Sequence, residues 1–277
     1  MSGGKSRLKR THRHGKCIFC GQLGLSKEHI WSQWMHPILG IRPGEEAVQI
    51  MQSQTRSISS ITRNVRTRQG STATTTVRAV CKTCNNGWMN RIEQETRPFL
   101  EPLILGQAAD LLPTAREQVA RWITMKLFVG EHNQTSLAVV PLSDRSAFMT
   151  ANKIPDAVQI WIGQIDSIKW KYGWQRHGAR LSWPGAPAPT PKQTVQTTTF
   201  GAGRLLVFAL LSYLPDFQHR PTAEEADRLP RLWPLSNDAW PPARMVTEQQ
   251  ADHLASSFHH VLDRPNVKWR PAPEERE

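Results

Sequence analysis

Three observations predict an α+β protein made of a small N-terminal module and a larger mixed region. All four cysteines of the 277-residue chain fall in two Cys-x-x-Cys pairs, Cys17–Cys20 and Cys81–Cys84. A β-branched run, Ser71 to Val80, rises into the second pair and reads as a strand. Beyond residue 100, capped amphipathic helices are followed by strand-like runs. The expected divisions are a basic flexible arm at 1–16, a cysteine-bearing module at 17–100, an α+β accessory domain at 101–270 and a disordered tail at 271–277.

Two residues between cysteines let both sulfurs of a tight turn face one ion. Two such knuckles supply the four thiolates of a closed tetrahedral zinc site. The long span between the pairs leaves two reduced thiol pairs, or two local redox motifs, as the alternatives. A zinc saturated with cysteine keeps no open position and does no chemistry. The reactive candidates are therefore the neighbours of the knuckles: Glu28, His29 and Asn85.

The pattern C-x-x-C, then Glu-His and an apolar residue, then C-x-x-C-Asn is carried here by Cys17, Cys20, Glu28, His29, Cys81, Cys84 and Asn85. It resembles the zinc-bearing form of the HNH endonuclease superfamily, over about residues 17–97. The resemblance implies a ββα-metal, treble-clef-like finger stapled by structural Zn²⁺ and carrying one catalytic Mg²⁺ or Mn²⁺. It implies Glu28 and Asn85 as ligands of that catalytic cation and His29 as the general base. The implied activity is hydrolysis of DNA phosphodiester bonds, one strand per active site, in a protein of bacterial or phage origin; a cytoplasmic setting is expected separately, from paired thiols that suit a reducing compartment. A protein partner, or a second copy of the chain, is expected to act through the C-terminal domain.

That chemistry is coherent on its own terms. Histidine suits general-base work because its ordinary pKa is near 6.5, and a hard cation prefers oxygen ligands such as a carboxylate and an amide. Neighbours on an extended segment point to opposite faces, so Glu28 and His29 serve one site only if the strand bends or the metal sits at its edge. One position departs from the family. Relatives carry an Asn shortly before the second knuckle, where it orients the base; here Thr74 to Val80 contains none. A threonine hydroxyl or a backbone carbonyl is the expected substitute. The rival reading is a non-catalytic, zinc-dependent nucleic-acid-binding protein.

Charge placement points the same way. Residues 1–100 hold 16 Lys and Arg against 5 Asp and Glu, whereas the remainder holds 19 against 18, so nearly all of the net +12 lies on the module. A basic surface of this kind suits a polyanion. The candidate phosphate contacts are Lys9, Arg10, Arg13, Lys16, Lys27, Arg66, Arg68 and Arg78. No apolar run reaches the length needed to span a bilayer, and the basic N-terminus lacks the apolar core of a secretory signal.

Taken in order, Trp31 and Trp34 suit a short helical segment packed on the module, and Ile38 to Gly70 reads as a polar, Arg-rich insertion, as a hairpin or a solvated surface. A helix opens at Asn85 and runs to about Arg97, where Pro98 should end or kink it. Thr114 and Glu117 form an expected capping box for a helix ending at Gly130, and Ser143 an expected cap for one running to Asn152. Ala157–Ile165 and Ile168–Gln175 read as an antiparallel pair of strands. The proline-rich stretch 183–191 is a stiff linker, and Gln193–Phe200 with Arg204–Tyr213 a further hairpin. Thr247 and Gln250 cap the last helix.

Overall fold

A computed structural model describes residues 15–41, 48–57, 60–69, 75–133, 135, 138–179, 194–215, 217, 219 and 221–256, with the backbone alone described over 48–57 and 60–69. Lys9, Arg10 and Arg13, the stretch 183–191 and the tail 271–277 lie outside the described residues.

The architecture is mixed helix and strand, as expected of an α+β protein. β1 (Leu25–His29) pairs antiparallel with β4 (Thr76–Cys81). Between them come α1 (Met35–Leu39) and an antiparallel pair, β2 (Val48–Ser57) and β3 (Ser60–Gln69), so the polar insertion is a hairpin in its backbone. After β4 the chain turns into α2 (Lys82–Cys84), a π-helical turn at Asn85–Met89 and α3 (Asn90–Leu105). Two further helices follow, α4 (Pro113–Gly130) and α5 (Leu142–Ala151). The remainder holds β5 (Val158–Gln164), β6 (Trp174–Ala179), β7 (Val195–Ala202) and β8 (Leu205–Ser212), then α6 (Ala223–Ala226), β9 (Arg231–Trp233) and α7 (Glu248–Ser256).

The strands β5–β9 form one antiparallel sheet in the order β6-β7-β8-β5-β9. Its central strand β8 reads Leu-Leu-Val-Phe-Ala-Leu-Leu and is buried throughout, because both faces of the sheet are covered. Period-two alternation sorts its side chains. Leu205, Val207, Ala209 and Leu211 join the core that also holds α4, whereas Leu206, Phe208 and Leu210 join a second core with Ala251 and Leu254 of α7. The first core is continuous from the cysteine pairs into the sheet. Phe19 lies 6.5 Å from Phe128, and Trp31 lies 5.5 Å from Phe200, centroid to centroid. The boundary expected at residue 100 is therefore spanned by shared packing.

Several local expectations give way to tertiary context. Pro98 and Pro102 lie inside α3, which ends instead at Gly106 in the left-handed region; burial of Leu100, Leu103 and Ile104 outweighs the two missing N–H bonds. Thr114 does not cap α4, because Pro113 takes the first helical position, where its missing donor is harmless, and Leu112 is the cap. Pro141, not Ser143, precedes α5. Residues 168–172 form turns, and β6 starts only at Trp174. β5 pairs with β8 and β9 rather than with β6, which sits at the far edge. The β7–β8 hairpin forms as expected, and so does the Thr247–Gln250 cap, in which the two residues exchange hydrogen bonds of 3.0 and 3.2 Å.

Candidate metal centre

The sulfurs of Cys17, Cys20, Cys81 and Cys84 all lie within 4.8 Å of one another. Cys20 and Cys81 are 3.6 Å apart, close to the ~3.8 Å edge of a tetrahedron with Zn–S bonds of about 2.3 Å. The first knuckle is a tight turn closed by Gly21 N–H to Cys17 O at 3.0 Å, with Gly21 at φ +72°. The second is the end of β4, where Cys81 caps the following helix by accepting the Cys84 N–H at 3.4 Å. Pairing of β1 with β4, Leu25 opposite Cys81, brings the knuckles together across the insertion.

The electrostatics of this cluster ask for a cation. Burial pushes the Cys17 thiol up, but the backbone N–H groups of Cys20, Cys81 and Phe19 outweigh it and bring the thiol to about 7. Burial holds Cys84 and Cys20 above the ordinary thiol range. Four ionised sulfurs at this separation repel strongly unless a metal sits between them. The donor set and spacing fit a metal ion such as zinc. Among the described residues no other group of three or more His, Cys, Asp or Glu side chains converges in this way.

Beside the knuckles β1 is irregular, with the register against β4 shifting between Ser26 and Glu28. This bend is what the neighbouring Glu28 and His29 require if both are to serve one site. Glu28 is buried, at 6% exposure, and its Oε1 accepts from Lys126 Nζ at 2.8 Å. Lys126 also reaches Glu93 Oε1 at 2.7 Å and the His29 carbonyl at 3.1 Å. Ser32 Oγ donates to the same Glu93 oxygen at 2.5 Å. Burial alone pulls the Lys126 pKa down, but Glu28 and Glu93 outweigh it and hold the ammonium above its ordinary range. The triad carries one net negative charge, and no hydrogen bond to Glu28 Oε2 is present among the described residues.

Asn85 lies in the π-helical turn directly after the second knuckle, as its place in the sequence suggests. Its Nδ2 donates to Ser26 Oγ at 3.2 Å and to Lys27 O at 3.4 Å, which tethers the turn to β1 beside the Glu28-His29 pair. Those donations leave Oδ1 as the atom available to a cation. His29 is half-buried; burial lowers its pKa, and His36 and Lys126 lower it further against the opposing pull of Glu28 and Glu93. No threonine hydroxyl or backbone carbonyl is hydrogen-bonded to the His29 ring among the described residues. The ring instead stands edge-on to His36, 5.7 Å between centroids, and His36 is itself held through Nε2 to Trp31 O at 3.2 Å.

Of the expected phosphate contacts, Lys16, Lys27 and Arg78 are exposed on the module. Arg66 and Arg68 lie on β3, whose side chains are outside the described set. Sequence reasoning overlooked Lys126 and Glu93. Lys126 carried a signal: it stands inside the apolar run Trp122 to Val129, and a lysine on a helix buried on every side needs a carboxylate partner. Comparison with family models, with curated proteins and with solved structures finds no significant match to this chain.

Proposed function

We propose that the protein is an HNH-like, metal-dependent endonuclease that nicks DNA, with structural zinc held by Cys17, Cys20, Cys81 and Cys84. The observation that carries this reading is the attachment of Asn85 to β1 next to Glu28 and His29, on the rim of the four-sulfur cluster. In this reading β1, β4 and the helix from Lys82 are a ββα-metal, treble-clef-like finger.

His29 acts as the base. Its lowered pKa keeps the ring neutral at physiological pH, able to take a proton from the attacking water. Glu28, through Oε2, and Asn85, through Oδ1, would hold a Mg²⁺ or Mn²⁺, which when bound offsets charge on the phosphate and the leaving oxygen. Lys126 neutralises one of the two carboxylates, Glu28 and Glu93, and leaves the triad net negative, which suits a dication. The exposed Lys16, Lys27 and Arg78 supply the attraction for the DNA backbone. No helix of the described residues is long and apolar enough to cross a membrane.

One observation favours a second reading. Glu28 is already committed to Lys126, which suits a finger that binds nucleic acid without cutting it. Supercoiled plasmid incubated with Mg²⁺, Mn²⁺ or EDTA separates the two. The nuclease yields open-circular product that needs the cation and disappears in His29→Ala while DNA binding persists. Intact plasmid with retained DNA binding selects the second reading, and nicking that survives in His29→Ala removes His29 as the base.

A further inference from the structure

A cavity of about 560 Å³ opens where the start of α5, the ends of β5 and β8, and β9 meet. Two of its lining residues are anomalous. Gln159 of β5 is only 9% exposed, and Arg231 of β9 has a buried Nε without a hydrogen-bond partner. Neither side chain makes a hydrogen bond or an ion pair to any described residue. Arg231 as a whole is only partly buried, but holding its Nε out of water is unfavourable unless something completes the hydrogen bond.

The carboxylates nearby do not fill that role: Asp238 Oδ2 accepts the backbone N–H of Arg231 at 2.8 Å, not its guanidinium. Asp144 accepts the Tyr213 hydroxyl at 2.7 Å, and Asp156, 94% exposed at its side chain, lies 4.0 Å from Lys153 at the mouth. Among the described residues, Arg231 is thus the cation of this cavity without a counter-ion. A guanidinium is a planar fork matched to the paired oxygens of a carboxylate or phosphate. The volume falls in the range of small-molecule sites.

We propose that this cavity binds a small organic anion, with its phosphate or carboxylate on Arg231 and a polar group of its body on the Gln159 amide. The site is separate from the metal centre and does not rest on nuclease activity. α5, which forms one wall through Asp144 and Ala147, also packs Phe148 against Trp88 of the module at 5.8 Å between ring centroids. The cavity and the turn after the second knuckle thus share α5 as a neighbour.

The test is isothermal titration calorimetry of the full-length, zinc-loaded chain with AMP, inorganic phosphate and citrate, each at millimolar concentration. At least one probe is expected to bind with one-to-one stoichiometry, and Arg231→Met to weaken it by about tenfold or more. AMP or phosphate binding without citrate marks a phosphate site; citrate alone marks a carboxylate site. If none of the three binds, or if Arg231→Met binds as well as the wild type because the basic module is what captures the anion, the proposal is overturned. Should Arg231→Met not fold, Gln159→Leu decides: weakened AMP or citrate binding supports the site, and undiminished affinity for every probe that binds the wild type rejects it.

Discussion

Lys126 shows how a charge is tolerated in this core. Its three ammonium protons meet three acceptors, on Glu28, Glu93 and the His29 carbonyl. Lys126→Met leaves the buried Glu28 and the half-buried Glu93 without their cation, so unfolding in urea should show a loss of about 3–5 kcal/mol. Glu28→Gln in that background should restore part of it, whereas a Lys126→Met protein as stable as the wild type would mean that the triad is not buried as a unit. His132 makes the fold pH-sensitive. Burial, then Arg145 and Arg176, lower its pKa to about 4, against about 6.5 in the unfolded chain. The unfolded chain therefore takes up the proton first as pH falls. Stability is complete above about 6.5 and is lost toward 4, by about 1–2 kcal/mol at pH 5 after allowing for the solvent-reached part of the ring. Urea midpoints at pH 7 and pH 5 should converge in His132→Gln.

At the scale of elements, the β7–β8 turn shows why a local hairpin signal survives in the folded molecule. Gly203 holds φ +59° with its N–H on Lys171 O at 2.7 Å, and the Arg204 N–H donates to Ile104 O at 2.8 Å at the end of α3. A Cβ at Gly203 would come 2.3 Å from the Ile104 carbonyl oxygen. Gly203→Ala is thus strained both in its backbone and against α3, and should lower stability by more than about 1 kcal/mol, read as a drop in urea midpoint. An unchanged midpoint would show that α3 and the turn are not in contact in solution. α3 itself follows the same logic: two prolines inside it are outweighed by the packing of its apolar face on α4, where Thr96 Oγ1 also donates to Gln118 O at 3.2 Å.

Across the whole molecule the cysteine cluster and the sheet share one core, so the metal and the fold should be linked. Stripping the metal with a chelator should release one zinc per chain and lower the melting temperature of the entire protein in a single calorimetric transition. Cys81→Ser should reproduce the shift without chelator. A second transition, unmoved by the chelator, would show that residues 101–256 fold independently of the knuckles. The crowding of basic residues in the first hundred positions adds a global polarity: if the proposed function holds, binding to a DNA duplex should weaken steeply as salt rises, and salt-indifferent binding would count against phosphate contacts.

Much of this protein was legible from residues close together in the chain. The two Cys-x-x-Cys pairs, the helix ending at Gly130, the β7–β8 hairpin and the Thr247–Gln250 cap all follow from spacing and turn chemistry, because their defining contacts are local. The convergence of the cysteines on one point was the expectation that composition favoured, but two separate thiol pairs fitted the spacing as well, and it is the pairing of β1 with β4 that brings the four sulfurs together. Only the tertiary structure decided that Glu28 meets Lys126 and Glu93, that β5 lies between β8 and β9, and that Gln159 and Arg231 share a cavity. Those pairings join residues far apart in the chain. Whether an isolated Lys in an apolar helix or an Arg on a short edge strand finds a partner depends on which surfaces dock, and that is settled by how the shared core packs rather than by any local pattern.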